Sequence, residues 1–397
     1  MLNRRTSRRA RRGIAIAMVA ALVATACSDS DSDDAVTPAT DASATTSTTS
    51  APSTTPAPTT EAPATTSTPA TTAPPPAVVP PFDGPVSFDL SVADESDPVL
   101  ELGTTWDTRF TYAPWVVHHD DRFHLFYTGW GREISIGYAV SDDGRQFTRP
   151  SDEPVLDELE PVDGRVVQPE APVVWVDDDG TWVMYVGQLV SRRVPGPAIM
   201  RATAPAPEGP WTVDPVPIYT AETGEWDDEI VPQSVVVADG VVSLFYDGRD
   251  GRSASTGVLT STDGVTFTPH DDPATPYGAD PVLAPSEVQS WDGAGAGSPM
   301  VLATDDGLEM FYVGFTGPEP GEAILRIGYA VSDDQGIAWQ RYADNPVIEL
   351  DNQFSQPASL GFPWMGAVQV DDTYYLYYAL QAGAEGVGVI TGTVDRG

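Results

Sequence analysis

IGYAVSDD, Ile136–Asp143, recurs letter for letter at Ile327–Asp334. A looser relative, Gly257-Val-Leu-Thr-Ser-Thr-Asp-Gly264, lies between the two copies. Each copy is followed by an aromatic residue, Phe147, Phe267 or Trp339. Each is preceded by an aromatic run ending in Tyr-x-Gly: HLFYTG at His124–Gly129, SLFYDG at Ser243–Gly248, EMFYVG at Glu309–Gly314. The period is roughly 55–70 residues, the mark of a chain built from stacked supersecondary units.

Working outward, the unit has a proline-bearing opening strand. Its copies are Tyr112-Ala-Pro-Trp, Gln168-Pro-Glu-Ala-Pro, Val231-Pro-Gln-Ser, Gly297-Ser-Pro-Met and Phe362-Pro-Trp-Met. The aromatic strand follows, with Thr181-Trp-Val-Met-Tyr185 and Tyr374-Tyr-Leu-Tyr-Tyr378 as two further copies. Third comes the IGYAVS strand, and fourth the segment that carries the aromatic. Connections hold Pro98-Val-Leu, Pro154-Val-Leu, Pro281-Val-Leu and Pro346-Val-Ile. Period-2 alternation, β-branched and aromatic enrichment and Asp-Gly punctuation argue strands and tight turns, with no helical pattern. Five four-stranded units predict an all-β, five-bladed β-propeller over residues 82–397. Val86–Leu90 is expected to add a strand to the last blade and close the ring, which removes sheet edges.

The chain has 20 basic and 58 acidic residues among 397, a formal charge of −38. All the basic residues are arginines, and six of them precede residue 13. So acidic a body repels nucleic acid and anionic headgroups. The single cysteine excludes an internal disulfide. The four histidines show no metal-ligand spacing. No cofactor is expected, although a central Ca²⁺ or Na⁺ held by waters and one side chain stays open.

Arginines at the N-terminus, the apolar run Gly13–Ala26 and Ala24-Thr-Ala-Cys27 have the three parts of a secretory signal over residues 1–26. The last four residues resemble a bacterial lipoprotein box, which implies lipidation of Cys27 and attachment to the outer side of the cell membrane. Residues 27–81 are an acidic run and then almost only Thr, Ser, Ala and Pro. That composition cannot bury enough apolar surface to offset ordering. As an extended stalk the roughly 45 residues from Val36 to Pro81 can reach about 140 Å.

Ser332-Asp-Asp-Gln-Gly-Ile-Ala-Trp339 resembles the Asp-box turn of sialidase-like propellers, a structural turn; no arginine triad of a sialidase is present. The order PVL, Trp-Asp, Pro-x-Val-Val, F-Y-x-G, GYA-x-S and DG-x-x-F/W resembles the five-bladed propellers of glycoside hydrolases. Similar heads occur among arabinanases, xylosidases, levan- and sucrose-acting enzymes and mannoside phosphorylases. The resemblance implies three carboxylates in a central funnel, one from each of the first three blades. Carried over by position they are Asp107, Glu170 and Glu229, with Asp107 expected as base, Glu229 as acid and Glu170 biasing the proton between them. The Asp-Pro, Glu-Gly-Pro and Trp-Met-Asn-Asp-Pro-Asn contexts of those families are missing at these places. Trp-Asp also recurs at Trp106, Trp226 and Trp291, as a packing residue would. Arg109 and Arg165 are candidates for binding hydroxyls or a carboxylate, and Trp130, Trp226, Trp291 and Trp364 for stacking on sugar faces.

Together these features predict a monomeric, cell-surface glycoside hydrolase acting on an extracellular glycan. The alternatives are a non-catalytic glycan- or protein-binding propeller and a glycoside phosphorylase, which would need a basic phosphate pocket.

Overall fold

A computed structural model describes residues 79–93, 98–162, 165–191, 194–222, 224–249, 253–287, 289–316, 324–349, 365–380 and 386–397. The signal, Cys27, nearly all of the stalk and Trp364 lie outside the described residues, as does the side chain of Arg165. What is described is all-β, in five antiparallel sheets.

Blade 1 runs Phe110–His119, Arg122–Trp130, Ile134–Ser141; blade 2 runs Arg165–Val176, Trp182–Ser191, Val194–Ala204, Thr212–Val213. Blade 3 runs Glu229–Ala238, Val241–Arg249, Ala254–Ser261, Thr268–Pro269. Blade 4 runs Gly295–Thr304, Gly307–Thr316, Ile324–Ser332, Gln340–Arg341. Blade 5 joins Met365–Val370, Thr373–Leu380 and Gly386–Asp395 to Ser87–Val92 from the start of the head. Neighbouring innermost strands touch in succession, and Met365–Val370 returns to Phe110–His119. The chain is thus a five-bladed propeller whose ring is closed by its N-terminal strand, in register from Ser87 opposite Asp395 to Val92 opposite Ile390.

The fourth strands are shorter than the sequence pattern suggests. Phe147, Phe267 and Trp339 stand just before them, and blade 1 keeps only the bridge of Val140 with Thr148. These aromatics fill the space between blades: Phe147 meets Tyr377 of blade 5, Phe267 meets Tyr185 of blade 2, and Trp339 meets Phe245 of blade 3. The turn before them is built alike in three blades. Ser141, Ser261 and Ser332 accept turn amides through Oγ, while Asp143, Asp263 and Asp334 accept the next two.

The Pro-Val-Leu segments have a shared purpose as well. Val99, Val155, Val282 and Val347 each donate a backbone N–H at 2.8 Å to the third strand of their blade. That extra rung ties every crossing chain back to the sheet it leaves, so its backbone groups are satisfied where they are buried.

Trp-Asp, F-Y-x-G and the glycine of the third strand form one packing unit. Trp106, Trp226 and Trp291 lie over Tyr127, Tyr246 and Tyr312 with ring centroids 6.0, 5.8 and 5.5 Å apart. The phenols donate to Asp107, Asp227 and Asp292 at 2.9, 3.0 and 3.2 Å. A Cβ at Gly129, Gly248 or Gly314 would fall within 2.4 Å of the tryptophan, and one at Gly137 or Gly257 within 2.4 Å of the tyrosine. Glycine is required there for close approach.

Candidate active site

The innermost strands do not run straight into the centre. Ala113, Ala171 and Ser298, each followed by proline, take φ of 50°, 51° and 47° at bulges in blades 1, 2 and 4. Left-handed backbone at non-glycine residues costs on the order of 1–2 kcal/mol each and concentrates at ligand and active sites. A bulge also frees a backbone amide from the ladder. Two of these amides are capped by the residue before the glycine of F-Y-x-G in the preceding blade. Thr128 Oγ accepts from Ala171 N at 2.9 Å, and Asp247 Oδ1 accepts from Ser298 N at 2.8 Å. Where that residue is apolar, Val186 or Val313, the next innermost strand has no positive φ among its described residues. Ala379 departs from this pairing, since Ala113 follows it.

Around these bulges the first three blades gather their buried polar groups. Glu170 is buried and accepts a hydrogen bond from the Tyr112 phenol. Its Oε1 has no hydrogen-bond partner among the described residues. Burial pushes Glu170 up to about 7, against the pull of the Arg249 guanidinium, with the Glu229 charge adding to the rise. Tyr112 is held well above its ordinary value by burial and by Glu170, so it stays a donor. Glu229 and Arg249 stand directly opposite each other in blade 3. Glu229 is half-buried, and desolvation raises its carboxyl, with Arg249 opposing and Asp228 adding. Asp247 is fully buried; its Oδ2 accepts from Gln233 Nε2 at 3.2 Å and lies 3.6 Å from Arg249 Nη2. Burial pushes Asp247 up to about 6. Three carboxyls therefore feel the charge of one guanidinium, and burial weighs on them unequally.

The structure brings together two of the three expected carboxyls, Glu170 and Glu229. Asp107 is occupied elsewhere. Its Oδ2 accepts from Tyr127 and from Arg149 Nε and Nη2 at 2.9, 3.0 and 2.7 Å, and its Oδ1 is pressed against Gly103, where a Cβ would lie 1.6 Å away. Asp292 repeats this arrangement in blade 4, with Tyr312 and with Arg341 Nε at 3.4 Å. In blade 3 Asp227 takes Tyr246 and Tyr219 instead. Asp107 is the blade 1 copy of a packing aspartate.

Trp226 is buried on Tyr246, and its indole donates to Ala279 O at 2.9 Å. Trp291 is half-buried on Tyr312. Trp130 is half-buried beside Phe110, ring centroids 5.4 Å apart, at the same end of blade 1 as Glu229 and Arg249 occupy in blade 3. Arg109 is exposed. Among the described residues no three His, Cys, Asp or Glu side chains are grouped to hold a metal ion.

Sequence reasoning missed Tyr112, Gln233, Asp247 and Arg249. A signal for one was present: the residue after the tyrosine of F-Y-x-G, or of its blade 5 copy Tyr377-Tyr-Ala-Leu380, is Thr128, Val186, Val313 or Ala379 elsewhere and an acid only at Asp247. The cluster can hold one proton on a buried carboxyl while keeping another ionised, the division that acid–base chemistry requires.

No protein-family model and no curated protein sequence matches the chain. Solved structures do. One comes from the GH130 family of mannoside phosphorylases, in work describing glycoside hydrolases that target beta-1,2 mannosidic linkages in Candida mannan; it is 20% identical, with TM-score 0.61, over 80% of this chain and 96% of that one. A glycosyl hydrolase from Bacteroides ovatus is 18% identical, TM-score 0.59, over 77% and 94% of the two chains. A beta-1,2-mannobiose phosphorylase from Listeria innocua is 13% identical, TM-score 0.53, over 77% and 97%. This chain shares the five-bladed propeller fold with these proteins over the parts covered.

Proposed function

We propose that the head is a glycoside hydrolase, held outside the cell membrane by a lipid on Cys27 and acting on an extracellular glycan. The observation that carries this reading is the pairing of a fully buried carboxyl, Glu170, with a half-buried one, Glu229, beside Arg249. Glycoside hydrolysis needs one carboxyl protonated and another ionised. Glu170, buried and with its carboxyl pushed up to about 7, still carries a proton in a large fraction of molecules at neutral pH and is the general acid. Glu229, half-exposed to solvent, is the carboxylate that activates water. This exchanges the roles expected from position in the repeat and leaves Asp107 to packing. The resemblance of the fold to glycan-acting enzymes supports the reaction class.

A phosphorylase is disfavoured by charge. With Glu170 protonated, Glu229 and Asp247 still outnumber the one guanidinium at neutral pH, and a phosphate dianion is repelled at such a site.

The test screens α-L-arabinosides, β-D-xylosides, β-fructosides and β-mannosides, with and without phosphate. Glu170→Gln should slow natural oligosaccharides about 10²–10⁴-fold and nitrophenyl glycosides much less, because their leaving group needs little proton assistance. Glu229→Gln should slow both. Full activity of Glu170→Gln on a natural substrate removes the assignment. A wild type inert on the whole panel but binding glycan makes the head a binding propeller.

A further inference from the structure

We infer that Asp247 is a positioning residue, fastening blade 3 to blade 4 with one carboxylate oxygen and holding Arg249 in place with the other. The inference rests on the hydrolase reading for its catalytic consequence, and on geometry alone for the rest. Thr128 in blade 1 is the internal comparison. Both residues cap the amide of a left-handed residue that precedes proline in the next blade, at 2.9 and 2.8 Å. Latching needs one acceptor, and threonine supplies it. The carboxylate at 247 therefore does something that the latch does not demand.

What it adds is Oδ2, fully buried and directed at Gln233 Nε2 and Arg249 Nη2. Asp247 and Arg249 are two apart on one strand, so they share a face, and Glu229 opposite Arg249 shares it too. Arg249 is also near enough to Glu170 for its charge to act there. One guanidinium thus lies 3.6 Å from the buried Asp247 and acts by its charge on both carboxyls of the proposed reaction. Space at the site is matched to this arrangement: a Cβ on Gly297 would come within 2.8 Å of Asp247 Oδ1. A side chain held by packing and by an outer hydrogen bond keeps a reacting group in place, and a displacement of about 1 Å is worth roughly 100-fold in rate.

The repeat itself supplies the variants for the full chain. Asp247→Thr keeps the latch and removes the anchor for Arg249; Asp247→Val, which copies the valine found at 186 and 313, removes both. Asp247→Thr should melt above Asp247→Val, yet lose about 100-fold in kcat/KM on the best glycoside of the screen. Glu229 is then followed by carbon-13 NMR titration. The charged groups facing it are Asp228 on its own strand, Arg249 opposite and Glu170 from blade 2. Loss of Arg249 from this set should raise the Glu229 midpoint in Asp247→Thr, and in Asp247→Asn should the threonine variant fail to fold. Wild-type kcat/KM with an unmoved Glu229 midpoint would reduce Asp247 to a latch. If the wild type turns over no glycoside, the hydrolase reading falls, and the Glu229 midpoint still decides the positioning.

Discussion

Removing the Phe88 ring should open the seam of the propeller. Ser87–Val92 is the outer strand of blade 5, and Val86, Phe88 and Leu90 are half-buried while Ser87 and Asp89 are exposed. Phe88 meets Phe311, Tyr329 and Tyr342 with ring centroids 6.3, 5.1 and 5.8 Å apart. Two of these belong to strands of blade 4, so the ring joins the last blade to its neighbour. Phe→Ala in a full core costs about 3–5 kcal/mol; at half burial we expect about 2 kcal/mol for Phe88→Ala. A folded body of about 300 residues has an unfolding entropy near 0.6 kcal/mol per kelvin, so Tm should fall by about 3 °C. Asp89→Ala, on the exposed face of the same strand, should change it by less than 1 °C, since surface changes stay within about 0.5 kcal/mol. Calorimetry on the purified head compares the two. Deleting the chain up to Pro81 should leave Tm unchanged, and deleting through Leu90 should lower it more than Phe88→Ala does. Equal melting of Phe88→Ala and Asp89→Ala, or of the two truncations, would refute closure by this strand.

Acidity should be linked to stability and to rate. Glu170 and Asp247 stay protonated in the folded state where the unfolded chain has ionised, with folded values of about 7 and about 6. Their contribution is therefore full below about pH 4 and is lost as pH rises through 6 and 7, about 3 kcal/mol for each; Glu170→Gln should flatten the upper part of a Tm-against-pH curve. Glycosidase activity should fall above about pH 7 as Glu170 gives up its proton, and in Glu170→Gln that falling limb should vanish from the residual rate on nitrophenyl substrates. Arg149→Met should destabilise the head by about 3 kcal/mol in denaturant unfolding, because it leaves Asp107 buried without its cation; an unchanged midpoint would make Asp107 a carboxylate available for chemistry again. Cys27→Ser should move the protein from the membrane fraction to the medium, and continued retention would remove the lipid anchor.

The repeat made the architecture legible before any coordinates. Alternation in Arg122–Tyr127 and Thr373–Tyr378, the shared Asp-Gly turns and five proline-bearing strands specify blades, because strand period and turn chemistry are local properties. Even the closing strand could be read, since a strand from Val86 to Leu90 added to the last blade closes the ring and removes sheet edges. Breaks in the repeat pointed to Glu170 and Glu229 for the same reason: a residue that departs from its copies is not explained by the fold's own demands. The recurrence of Trp-Asp pointed the other way for Asp107, and Tyr127, Arg149 and Gly103 show what that recurrence packs against.

What lay beyond the sequence was the company each charge keeps. Tyr112, Glu170, Glu229, Asp247 and Arg249 come from three blades and from different strands within them. No spacing along the chain encodes their meeting, because it depends on bulges that turn Ala171 and Ser298 out of the ladder and on how one blade leans on the next. The protonation of Glu170 and Asp247 is likewise a property of burial, which a carboxyl acquires only when the ring closes around it. Local pattern therefore determined the blades and their order, and the closed tertiary structure alone decided which of 58 acids share a guanidinium where blades 2 and 3 meet.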